Sequence, residues 1–204
     1  YPVYWWDQAF ALTLGRECPN PQPAWYTHVH SWYAPWTDGF LSYSDGINDD
    51  VNKAVWSRLG WDPATEPRQT CIEYANLFFG SGVAERAADG ILALEKNWEG
   101  KLADNGAVDA TLMHWQALEA VSPRLGSNWR WQLCLLRAYF DAYTRHRLLY
   151  ETRLESEVNE LLAQAPVLGA GAAMEQAEAI LKQAETNPVR TDWRQRIEEG
   201  LPGT

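Results

Sequence analysis

The chain has 204 residues, 46% of them apolar, so one large domain or two small ones can bury a sizeable core. Its formal net charge of −10 argues against a nucleic-acid partner, because phosphate binding needs a basic stripe. No apolar run approaches the roughly 18–20 residues of a membrane-spanning helix, so no membrane span is expected.

The first residues, "YPVYWWDQAFAL", are aromatic and apolar and lack an initiating methionine. Natural N-termini are usually polar and loose, so the chain reads as a piece of a longer polypeptide whose remainder would be its partner. Without a visible secretory signal, the compartment, cytoplasmic or secreted, stays open. "NPQP", Asn20–Pro23, is a turn. "AWYTHVHSWY" follows, alternating Trp25, Thr27, Val29 and Ser31 with Tyr26, His28, His30 and Trp32, which predicts a strand. A second short strand is expected over 39–42. It ends in a polar loop that carries Tyr43, Asp45, Asn48, Asp49 and Asp50.

From Asp50 onward the pattern is helical. Asp49 or Asp50 is placed to cap "VNKAVWSRLG", with Gly60 as terminator. The next helix has Thr65 as cap, Pro67 in its first turn and Gly80 after its end. A third starts at Ser81, with Val83, Ala87, Ile91, Leu94 and Trp98 on one face and Gly100 beyond it. A fourth, "VDATLMHWQALEAV", stops near Ser122-Pro123. A long helix is predicted over about 128–165, with Trp131, Leu135, Ala138, Ala142, Leu149 and Leu154 at helical spacing, and shorter ones over about 170–186 and 189–199. Arg137, Arg145, Arg147 and Arg153 are interleaved with Glu151 and Glu155 and read as a solvated face. Short loops between such helices suggest a bundle. The fold class expected is mainly α, with a short β/α segment over 1–60 and a helical domain over 61–204.

The chemistry-bearing residues gather between Trp32 and Asp50. The twelve tryptophans and nine tyrosines exceed what packing alone usually requires. Such rings suit sites with a dry face and a wet edge, so a carbohydrate or a protein partner is expected, against the alternative of a Trp-rich core. Acids and amides at 38–52 fit sugar hydroxyls; an ordinary helix cap and an Asp-Gly turn account for several of the same residues. His28 and His30 would share one face of a strand, which makes them weak candidates for a metal. No phosphate loop, nucleophile elbow or HExxH helix occurs, so no cofactor is expected. Cys18, Cys71 and Cys134 lack metal or redox spacing, and the last two read as buried hydrophobes.

Three stretches carry a family resemblance: "WDQAFALTLGRE", "DGFLSYSDGINDDVNKAVWSRLGWDP" and "EYANLFFGSGVAERAADGILALEKNWEG". They resemble parts of large bacterial proteins similar to glycoside hydrolases, with a family 20-type (hexosaminidase-like) barrel followed by a helical region. The resemblance implies that residues 1–60 are the end of a (β/α)₈-type barrel and that the rest is the helical domain after it. The adjacent Asp-Glu pair of such barrels is not found in this sequence. The resemblance therefore places the general acid upstream and leaves substrate contacts to Trp32, Trp36, Asp38, Tyr43, Asp45, Asn48 and Asp49. The function expected is the C-terminal portion of a glycoside hydrolase, or alternatively a non-catalytic helical module that binds a glycan or a partner protein.

Overall fold

The computed structural model describes residues 20–41 and 49–199. Among these residues the chain is mainly helical and contains no strand. The described residues divide into two compact units, one that ends at Ala138 and one over Tyr139–Glu199. The division falls inside one long helix.

The first described helix, α1 (Pro23–Tyr33), corrects the strand expected over "AWYTHVHSWY". Proline in the first turn presets the helical φ and forfeits an N–H that has no intrahelical partner anyway. The alternating pattern also satisfies helical spacing, with Trp25, His28 and Trp32 at i, i+3 and i+7. A 3₁₀ turn, Ala34–Trp36, continues α1. Residues 39–41 are irregular where a second strand was expected, and Ser42 lies outside the described residues. No strand of a β/α barrel end is shown among the described residues of 1–60.

Helix α2 (Asp50–Trp61) runs through Gly60 rather than stopping at it. Gly60 instead makes room for Phe40, whose Cε1 would lie 2.6 Å from a Cβ placed there. Helix α3 (Pro67–Phe78) begins after Glu66, not Thr65, and Gly80 ends it at φ +95°. Helix α4 (Ala84–Lys96) starts after a turn over 81–83, so Ser81 is not its cap. Helix α5 (Ala107–Val121) stops at Ser122-Pro123, as expected. Helix α6 (Trp129–Leu162) begins where Asn128 accepts N–H groups of Arg130 and Trp131 at 3.0 and 3.2 Å. The Asn128 amide also donates to the Phe78 carbonyl at 2.8 Å and ties α6 to the end of α3.

In the first unit α1 packs on α2, α3 and α4, and α4 packs on α3 and α5. The expected α4 face is buried at Ala87, Ile91 and Leu94. Trp131 meets the edges of Phe79 and Trp115 at 5.2 and 5.3 Å between ring centres, and both indoles are fully buried. Trp115 rests against Gly90 of α4, where a Cβ would stand 2.9 Å from its ring carbons, and its Nε1–H donates to the Gly90 carbonyl at 3.3 Å. Cys71 and Cys134 are buried free thiols, and burial pushes both up to about 12. Arg137, placed by its sequence context on a solvated face, is fully buried with its guanidinium 3.6 Å over the Trp98 ring.

The second unit holds the C-terminal part of α6 and four further helices: α7 (Ala165–Leu168), α8 (Ala170–Leu181), α9 (Gln183–Thr186) and α10 (Thr191–Glu198). Its buried residues include Leu154, Val158, Ala173, Ala177 and Trp193. Here Arg147 and Arg153 do lie on a solvated face, paired one turn on with Glu151 and Glu157, whereas the Arg145 Nε is buried.

Candidate functional site

Two side chains fix α1 in place, and neither is on α1. Glu95 of α4 accepts the backbone N–H groups of Ala24 and Trp25 at 2.9 and 2.8 Å, capping the helix from outside. Burial pushes the Glu95 carboxyl above its ordinary range, and the two N–H bonds oppose that rise. Asn52 of α2 accepts from the Gln22 N–H and donates to the Asn20 carbonyl, both at 2.8 Å. Asn52 is buried, so this residue of the polar stretch is a clamp.

So held, α1 presents an aromatic stripe to solvent. The Trp25 and His28 rings stand 5.7 Å apart, His28 and Trp32 4.2 Å, and Trp25 and Trp32 6.4 Å. Trp32 is 56% exposed and Trp36, on the 3₁₀ turn, 85%. A different side of α1 borders a cavity of about 330 Å³ lined by Tyr33, Thr37 and Asp38, with His30, Phe40 and Trp56 among its walls. These last three rings touch one another, with His30–Trp56 and Phe40–Trp56 centres 5.4 Å apart. The rings are tilted against one another, and the aromatic wall they form, next to a carboxylate and a hydroxyl, suits a ligand with both apolar and hydroxylated surface.

Trp32 and Trp36 are exposed, whereas Asp38 lines the cavity, whose walls include neither of them. Tyr43, Asp45 and Asn48 lie outside the described residues. His28 and His30 diverge, because residues two apart on a helix point to different sides; His28 is exposed and His30 buried. Among the described residues no group of three or more His, Cys, Asp or Glu is placed to hold a metal ion.

Asp49 occupies the N-cap position of α2 without a side-chain capping bond. Asp50 does different work from the cap its position suggested. Its Oδ2 accepts from the Tyr74 hydroxyl at 2.7 Å and from Arg130 Nε at 2.6 Å. Arg130 in turn lies over the Phe78 and Trp129 rings, 3.8 and 4.0 Å from their centres. Asp50 is therefore a cross-link among α2, α3 and α6. Sequence reasoning missed Trp25, Tyr33, Phe40 and Trp56 as members of the site; the i, i+3, i+7 spacing from Trp25 was the signal that could have found the first. No protein-family model, curated protein or solved structure matches this chain.

Proposed function

We propose that this chain is a glycan-binding helical module of a carbohydrate-active protein, with Trp32, Trp36 and Asp38 as its contacts. The observation that carries the reading is the exposed Trp25–His28–Trp32 stripe of α1. Exposed indoles are costly to leave in water and are the side chains that most often anchor a binding surface. The resemblance to hexosaminidase-like proteins points to N-acetylhexosamine oligomers as the first probes. In this account the indoles cover the sugar faces, and Asp38 and Thr37 accept from or donate to hydroxyls. Asp50 contributes nothing to the sugar, because its carboxylate is taken by Tyr74 and Arg130.

Calorimetric titration of the 204-residue chain with soluble N-acetylglucosamine and glucose oligomers tests the reading. Saturable binding is expected, weakened about tenfold or more by Trp32→Ala or Trp36→Ala. No binding to any oligomer would overturn it. Turnover of an aryl glycoside, lost on Asp38→Asn, would replace binding with hydrolysis as the function.

A further inference from the structure

The cavity of about 330 Å³ on the first unit has an inner wall that the glycan reading does not use. His30 belongs to that wall, with the Phe40 ring 6.3 Å and the Trp56 ring 5.4 Å away, centre to centre. His30 is only 7% exposed, and among the described residues no group hydrogen-bonds its imidazole. An imidazole at that depth has lost most of its water without gaining a protein partner, which is costly unless something in the cavity supplies one. Asp38 lines the same cavity, is exposed, and has no ion-pair partner among the described residues. It is the one carboxylate among the lining residues, which include no lysine or arginine. Aromatic ring faces and an unneutralised carboxylate both attract a cation and repel an anion.

We propose that this cavity binds a small primary ammonium with an apolar body. The body lies against the Phe40 and Trp56 rings, an ammonium N–H donates to the His30 imidazole, and Asp38 supplies the counter-charge. A quaternary ammonium would satisfy the rings and Asp38 but would leave His30 unmatched, so the site prefers a cation that carries N–H groups. Neither Trp32 nor Trp36 lines the cavity, so this site goes beyond the glycan reading. Asp38 is the residue the two share; His30 serves this site alone.

Benzylamine, a cation at neutral pH, titrated into the full chain by ligand-observed NMR tests this. Saturable binding at about 1 mM or tighter is expected, as befits a ligand of this size. Asp38→Asn should weaken it about tenfold and His30→Phe about fivefold. Helical circular dichroism should stay unchanged in both, because Asp38 is exposed and His30 gives up no protein hydrogen bond. Benzyl alcohol, the neutral counterpart, should bind at least about tenfold more weakly. Benzyltrimethylammonium should bind more weakly than benzylamine and be indifferent to His30→Phe. Absence of benzylamine binding, binding unmoved by Asp38→Asn, or equal binding of benzyl alcohol would overturn the proposal. Benzylamine binding that ignores His30→Phe would overturn the role of the imidazole and, with it, the preference for a primary ammonium.

Discussion

Trp115 and Trp32 are the same residue type in the same unit with opposite surroundings. Trp115 is fully buried in a recess shaped for it, with Gly90 beneath, Trp131 at its edge and a carbonyl for its N–H. Trp32 keeps more than half its surface in water and touches mainly its own helix, at His28 and Trp25. Burial of that kind holds a fold together; exposure of that kind is free for a partner. A count of tryptophans cannot separate the two, whereas the space left by a neighbouring glycine can.

The contrast can be broken most strongly at the core. Trp115→Ala should cost about 3–5 kcal/mol through lost burial and a residual cavity. A mild shift of the thermal midpoint would mean that the recess collapses without cost. Gly90→Val, which drives a side chain into the same indole, should cost about 1–3 kcal/mol by overpacking. The next effect lies at Asp50. Asp50→Ala leaves the Arg130 guanidinium and the Tyr74 hydroxyl without their shared acceptor and should cost about 2 kcal/mol in denaturant unfolding. Asp49→Ala should change little by comparison, since no capping bond is lost.

Smaller changes sharpen the exposed side of the comparison. Glu95→Ala removes the outside cap of α1 and should cost about 1 kcal/mol. It should also weaken glycan binding, which would separate α1 placement from direct contact. Trp32→Ala should stay within about 0.5 kcal/mol of the parent in stability, as expected for a surface change. A large loss of stability there would place Trp32 with the core residues and against the binding account.

The helical majority was legible because apolar residues from Asp50 onward recur at helical spacing and Gly, Pro and Asn punctuate them. Asn128 and Ser122-Pro123 mark real helix ends. The α1 segment was misread because "AWYTHVHSWY" fits a period of two and a helical period at once. Pro23 in the first turn was the discriminating residue, and its neighbour Glu95, which satisfies the helix end, lies 70 and 71 residues away from the groups it caps. Asp50 was placed correctly at a helix start but assigned to its own helix. Its partners stand 24 and 80 residues along the chain, a distance that no local pattern encodes. Arg137 was hidden for the same reason: Trp98, which stacks under it, belongs to a different part of the sequence. At the site, the exposed Trp32 and Trp36 were visible as residue types, while the cavity wall of His30, Phe40 and Trp56 exists only once α1 lies on α2.

Hydroxyl-radical footprinting of the indoles, with and without a saturating N-acetylglucosamine oligomer, tests the central claim most directly. The account predicts protection of Trp32 and Trp36 and no change at Trp115 and Trp131, which are already buried. Unchanged oxidation of Trp32 and Trp36, or protection confined to the exposed Trp61, would contradict it.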